Sequence, residues 1–196
     1  MAKKKKMSWD IPVDEMWEKF EAAVKGETPR GMAMVHGALI EDALMRLLKS
    51  YLVAGDATDA LLDGFNSPVG TWSARTLLAY SVGLISEDER DAVDLLRAIR
   101  NMFAHSMSAD YDDPAVAKKL GDLTERLGGA RFIPLDKQYQ MLVSFLAASF
   151  FNRVSQVGPH PDQISPLALQ PSSTRRPLNP PRVKPSGKRA ARPNSS

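Results

Sequence analysis

Residues 86–105 read SEDERDAVDLLRAIRNMFAH, and this stretch decides the fold class of the chain. Its apolar residues recur at steps of three and four, which is the spacing of one face of an α-helix. They are Val93, Leu96, Ile99 and Phe103. Ser86 and Glu89 have the spacing of a capping box, so the helix is predicted to begin there. The stretch predicts a long amphipathic helix with a buried apolar face.

The same periodicity extends over most of the chain on both sides of this helix. Thr28-Pro29 supplies an N-cap followed by a proline at the first helical position, and Gly128-Gly129 supplies a stop. Further helices are predicted at about 58–63 and 71–82, and a last one from Asp136 to Val157. No stretch alternates apolar and polar residues as a strand would. The sequence therefore predicts an all-α bundle of about six or seven helices.

Charge and proline content divide the chain into three parts. Lys3, Lys4, Lys5 and Lys6 lie in a basic extension, residues 1–7, before a helical domain at 8–157. Residues 158–196 hold nine of the 14 prolines. They carry a net charge of +6 and the four lysines carry +4, while the whole chain carries +3, so residues 7–157 have a net charge of −7. Because residues 158–196 have few large apolar side chains, we expect a disordered tail. Its basic residues are Arg175, Arg176, Arg182, Lys184, Lys188, Arg189 and Arg192.

Composition also narrows the possible chemistry. The chain has no cysteine, so thiol nucleophiles and Cys-based zinc sites are excluded. No other grouping has convincing metal spacing, and no Gly-rich phosphate loop is present, so we expect neither a metal nor a cofactor. The most apolar stretch, 141–151, is shorter than the roughly 20 residues that a membrane span needs. We expect a cytoplasmic protein.

One cluster of residues on the 86–105 helix has catalytic potential. Arg97, Asn101 and His105 lie at four-residue steps, with Arg100 on an adjoining strip, so all four are expected on one surface. A histidine can exchange a proton with an RNA 2′-hydroxyl, and a guanidinium can stabilise phosphate charge without a metal. The alternative is structural: His105 interacts with the helix C-terminus, and the arginines pair with carboxylates.

Four further residues are candidates for structural or interaction roles. His36 precedes Glu41 and Asp42 on a predicted long helix, and we expect it to be packed and hydrogen-bonded to a neighbouring helix rather than catalytic. Arg75 follows the loop at 66–70 and is expected to anchor that loop rather than to bind a ligand.

Several stretches carry a resemblance to known families. Residues 99–105, IRNMFAH, resemble the Arg-x-x-x-x-His signature of HEPN-type helical domains, many of which are metal-independent ribonucleases that work as dimers. Three more stretches, at 35–42, 65–75 and 83–89, occur in the order and spacing of the mannitol operon repressor (MtlR-like) family. The resemblance covers about residues 31–105 and neither basic end. It implies a bacterial regulator that lowers expression of a sugar-alcohol uptake operon.

The manner of regulation is judged from the residues. Residues 77–93 mimic a helix-turn-helix, but the second helix begins with Glu87, Asp88, Glu89 and Asp91, and these carboxylates repel phosphates. We therefore expect an MtlR-like regulator that acts through self-association or a protein partner, with non-specific nucleic-acid contact at the basic ends. The alternative is a HEPN-like endoribonuclease with His105 as the acid–base residue, Arg100 as the phosphate clamp and Asn101 as an orienting group.

Overall fold

Seven α-helices form the fold in this computed structural model, which describes residues 7–64, 66–129 and 132–157. A short 3-10 helix, Ser8–Asp10, precedes them. The α-helices are α1 (Val13–Val24), α2 (Pro29–Tyr51), α3 (Asp56–Leu62), α4 (Trp72–Ser81), α5 (Glu87–His105), α6 (Pro114–Leu127) and α7 (Leu135–Gln156). The described residues contain no β-strand, so the predicted all-α class and the number of helices are confirmed.

The helices begin and end where local hydrogen bonds replace the helical ones. The Thr28 hydroxyl accepts a bond from the backbone N–H of Gly31 at 3.1 Å, and Pro29 opens α2 as predicted. The Thr71 hydroxyl caps α4 in the same way. Gly128 ends α6 in the left-handed region, with φ of 68°, which favours glycine. The helix predicted at 58–63 begins two residues earlier, with Gly55 as its N-cap, and ends one residue earlier, with Asp63 as its C-cap.

Helix α2 lies at the centre of the domain. It packs against α1, α4, α5 and α7, while α6 covers α5 and α7. Most of α2 is therefore buried, from Ala33 to Leu48, rather than along a single stripe. On α5 the predicted apolar face, Val93, Leu96, Ile99 and Phe103, is buried as expected. No helix within the described ranges is both long and apolar enough to cross a membrane.

A row of aromatic rings crosses the domain and joins four helices. Consecutive ring centroids along the row are 4.8–5.6 Å apart. The members are Trp17 and Phe20 of α1, His36 of α2, Tyr139 of α7, Tyr111 of the α5–α6 connection and Phe103 of α5. Because aromatic pairs with tilted or edge-on geometry stabilise a core beyond their buried area, this row fixes how α1 and α7 sit on α2.

Two predicted regions lie outside the described residues. These are the basic extension up to Lys6 and the tail at 158–196, together with every lysine and arginine named for nucleic-acid contact. Phe65, inside one of the stretches that carry the family resemblance, also lies outside them.

Candidate functional site

The α5 polar cluster, defined as Arg97, Arg100, Asn101 and His105, is carried by a helix with a well-formed start. The Ser86 hydroxyl accepts from the backbone N–H of Glu89 at 3.2 Å, and the Glu89 carboxylate accepts from the backbone N–H of Ser86 at 2.8 Å. This is the predicted capping box. The capping box fixes where α5 begins, and the apolar face of α5 is buried. The α5 polar cluster therefore lies along one flank of the helix, beside that buried face.

Arg100 lies at the junction of α5 with α2 and α4. A Cβ atom placed on Gly37 of α2 would lie 3.1 Å from Cγ of Arg100 and 3.3 Å from Cζ3 of Trp72. The stem of Arg100 and the Trp72 ring therefore pack directly over the glycine. The Nη1 of Arg100 donates to Oδ1 of Asn101 at 3.1 Å. The geometry makes Arg100 a packing residue between three helices, and its hydrogen bond goes to an amide oxygen rather than to the expected carboxylate.

The other two members of the α5 polar cluster have separate surroundings. Arg97 pairs with Asp94 on the same helix at 3.2 Å. His105 is exposed as the last residue of α5, where Arg30 donates to the carbonyl of Ala104 at 3.0 Å. Among the contacts of the described residues, a hydrogen bond joins only Arg100 and Asn101 within the cluster. The structure therefore does not bring the four side chains into one hydrogen-bonded group.

His36 is buried in the aromatic row. Its Nδ1 lies 2.9 Å from the carbonyl oxygen of Met32 and donates to it, because a carbonyl only accepts. The prediction that His36 bonds a neighbouring helix is wrong, because Met32 belongs to α2 itself. The contacts of His36 with α1 and α7 are made with the rings of Phe20 and Tyr139. Burial lowers the pKa of His36, and the bond to Met32 opposes this only in part. His36 is a neutral core residue.

Arg75 and Glu41 connect α4, α2 and the end of α3. The buried Arg75 has Nη1 at 3.5 Å from Oε2 of Glu41, and its Nη2 donates to the carbonyl of Leu62 at 3.2 Å. Burial lowers the pKa of Arg75, although the charges of Glu41 and Asp63 act in the opposite direction. Since Leu62 ends α3, Arg75 holds the end of that helix, four residues before the loop at 66–70 that it was expected to anchor.

Asp42 belongs to a clamp that sequence reasoning missed. The Nε of Arg46 donates to Oδ2 of Asp42 at 2.7 Å, while its terminal nitrogens donate to the backbone carbonyls of Ile11 and Ser8. Arg46 thereby fastens the segment before α1 onto α2. The four-residue spacing of Asp42 and Arg46 was a usable signal for their pairing. The partners in the N-terminal segment, 35 and 38 residues away, gave no local signal.

An acidic groove of about 860 Å³ runs between α5 and α6. The carboxylates that line it are Asp88, Asp91, Asp94, Asp122 and Glu125. Arg126 lies 2.9 Å from Asp91 and 3.6 Å from Asp88, so it offsets part of this charge. A hydrogen bond from Arg90 lowers the pKa of Asp91, which is therefore a carboxylate. Across the described ranges no three His, Asp or Glu side chains are grouped to hold a metal ion.

Comparison with known proteins gives one informative result. No family model matches the chain, and no curated protein matches it. The fold is similar to a chain in the X-ray structure of the MtlR–HPr complex from Escherichia coli, with a TM-score of 0.51 and 23% sequence identity. The alignment covers 71% of this chain and 96% of the other. At this identity the likeness shows that the two chains share an MtlR-like helical fold.

Proposed function

We propose that this protein is an MtlR-like transcriptional regulator that lowers expression of a mannitol or other sugar-alcohol operon by binding a protein partner. The observation that carries the proposal is the extent of the shared fold, which spans 96% of the similar chain. That chain was solved in a complex with HPr. We assign a partner of the same kind to this protein and place its action in the cytoplasm. Self-association of the helical domain belongs to the same proposal.

The charges at the start of α5 support action through a partner rather than through a DNA-reading helix. Glu87 and Asp88 lie in the first turn, with side chains 70% and 74% exposed. In a helix-turn-helix this end of the second helix enters the major groove. Exposed carboxylates would there face DNA phosphates, and the acidic groove continues the same negative surface along α5. Such a surface favours protein partners over nucleic acid.

The α5 polar cluster has a structural part in this proposal. Arg100 packs over Gly37 against Trp72, and Asn101 accepts its hydrogen bond. These contacts hold α5 on α2 and α4, so they preserve the surface that a partner would recognise.

The test is binding of the purified full-length protein to HPr from the same organism, measured by isothermal titration calorimetry. We expect saturable binding with a defined stoichiometry. An unrelated small acidic protein serves as the control and should give no heat. A duplex that covers the operator region of the operon is titrated in parallel at 150 mM salt. Sequence-specific binding to this duplex at that salt concentration, without binding to HPr, would contradict the proposal.

The alternative function, a metal-independent endoribonuclease, keeps two supporting observations. His105 is exposed and so is accessible to substrate, and Arg100 lies five positions earlier on the same helix with its guanidinium hydrogen-bonded to Asn101. The two hypotheses differ in what Arg100 and His105 do, so substitutions of these two residues separate them.

A further inference from the structure

A small cleft lies between α1, the N-terminal segment and the outer face of α2, away from the α5 polar cluster. Its volume is about 160 Å³. Most of its wall is apolar and includes Met16, Phe20, Val35 and Leu39. Asp42 lines the same cleft. A mostly apolar cleft with few polar groups is typical of a site that binds an apolar body and orients it by a polar contact.

The carboxylate of Asp42 has one oxygen without a hydrogen-bond donor. Asp42 is only 3% exposed, and its Oδ2 accepts from Arg46 Nε at 2.7 Å. Its Oδ1 is buried and has no partner. Arg46 does not supply the missing donor, because its hydrogen bond to Asp42 goes to Oδ2 and its terminal nitrogens are directed at the carbonyls of Ile11 and Ser8. A buried acceptor without a donor is unfavourable, and in a native protein it calls for a water or a ligand.

The charges around the cleft define the class of ligand. Asp42 is already paired with Arg46, and Lys19 at the cleft is paired with Glu15 at 2.6 Å. The surroundings therefore need a hydrogen-bond donor but no additional charge. A cation would lose its hydration against an apolar wall, whereas a hydroxyl loses much less. A neutral donor is thus the better fit.

The volume of the cleft sets the size of the ligand. An apolar cavity of about 150 Å³ is large enough for benzene, which is close to the 160 Å³ found here. We infer that this cleft binds a compact neutral molecule of about that size, with an apolar body and a hydroxyl that donates to Oδ1 of Asp42. Because Oδ1 is buried in the protein without ligand, binding in this way requires the neighbouring side chains to move. A sugar alcohol does not fit this description, since its many hydroxyls would face apolar side chains without partners.

The experiment uses the full-length protein and two matched probes, 4-fluorophenol and fluorobenzene, followed by ¹⁹F NMR. The probes differ only in the hydroxyl. We expect saturable binding of 4-fluorophenol that is about fivefold or more tighter than binding of fluorobenzene, as one net hydrogen bond would give. Asp42→Asn should reduce this difference, because a neutral amide oxygen is a weaker acceptor than a carboxylate oxygen. Mannitol should not displace 4-fluorophenol.

A second variant keeps the inference testable if Asp42→Asn fails to fold. Ala38 lines the cleft and is exposed, so Ala38→Leu fills the cleft without disturbing the core. It should weaken 4-fluorophenol binding about tenfold, consistent with the loss of a small apolar site. Ala115→Leu, at an exposed position of α6, is the control and should leave binding unchanged. Equal affinity for both probes, unchanged binding in Ala38→Leu, or displacement by mannitol would each overturn the inference.

Discussion

Arg153 of α7 donates from both terminal nitrogens to the two carboxylate oxygens of Glu89 in α5, at 2.8 and 2.7 Å. The same guanidinium also donates to the carbonyl of Leu84 at 2.7 Å. Glu89 is at the same time the acidic member of the α5 capping box. One bidentate pair therefore ties the last helix of the domain to the start of α5, which carries the candidate site.

Arg153→Ala should lower the free energy of unfolding by about 2 kcal/mol, because it removes the donor to the Leu84 carbonyl and leaves the partly buried Glu89 with only the Ser86 backbone N–H. Urea denaturation followed by circular dichroism measures this. Lys137→Ala is the control, since its pair with Asp136 is exposed and should contribute less than about 0.5 kcal/mol. Equal losses in both variants would contradict a special role for Arg153.

The contribution of this pair should depend on pH. Burial alone would raise the pKa of Glu89, but hydrogen bonds from Arg153 and Ser86 lower it overall. A carboxylate with a lowered pKa stabilises the fold above its ordinary pKa, and that stabilisation is lost as pH falls through the folded-state value. The stability difference between the wild-type protein and Arg153→Ala should therefore shrink on acidification below about pH 4.5. A difference that stays constant down to pH 3 would argue against an ionic pair.

His36 should make the protein less stable in mild acid. Because its pKa is lowered in the folded state, the unfolded chain binds a proton first as pH falls below about 6.5. Stability should decrease from that point until the pH is below the folded-state pKa. Thermal unfolding between pH 7.5 and 5 measures the decrease. His36→Gln should flatten this part of the curve, while the same replacement at the exposed His105 is the control. If both variants keep the wild-type slope, the decrease has another origin.

Arg100→Ala should destabilise the domain by about 1–3 kcal/mol if its role is structural, because the variant loses packing over Gly37 and leaves Asn101 without its donor. His105→Ala should change stability by less than about 0.5 kcal/mol, as expected for an exposed residue. Under this reading neither the wild-type protein nor the variants cleave RNA. Urea denaturation gives the stabilities.

The ribonuclease reading predicts a different pattern for the same two variants. The wild-type protein would then cleave single-stranded RNA in EDTA and leave 2′,3′-cyclic phosphate ends. Both variants would lose roughly 10²-fold or more of that activity. EDTA-resistant cleavage that disappears in both variants, with the stability of His105→Ala unchanged, would reject the non-enzymatic proposal.

Any binding to nucleic acid should come from the basic ends of the chain. Replacing Lys3, Lys4, Lys5 and Lys6 by glutamine and removing residues 158–196 should abolish it, since the remaining domain carries a net charge of −7. Binding by the full-length chain should weaken steeply with salt, as counterion release requires. Fluorescence anisotropy with a labelled duplex measures both effects.

Removal of residues 158–196 should leave the melting temperature nearly unchanged. A decrease of more than about 2 kcal/mol in the free energy of unfolding would contradict a tail that does not dock on the domain.

The helical class of the chain and several helix ends could be predicted from local sequence, while other helix bounds differ by one or two residues. The capping box at Ser86 and Glu89, the Thr28-Pro29 start of α2 and the Gly128 end of α6 all form as predicted. The reason is that caps and helical periodicity depend on residues three or four positions apart, and this spacing is visible in the sequence. The buried face of α5 followed from the same spacing.

The contacts that the candidate residues make depend on the tertiary structure. Arg100 packs over Gly37, 63 positions earlier in the chain, and Arg46 fastens the segment at Ser8. His36 lies between rings of α1 and α7. These contacts depend on which helices become neighbours and at what distance. The spacing of residues along one helix does not determine either. The spacing of the α5 polar cluster predicted that its members share a flank, whereas the packing of Arg100 over Gly37 and against Trp72 depends on the neighbouring helices α2 and α4.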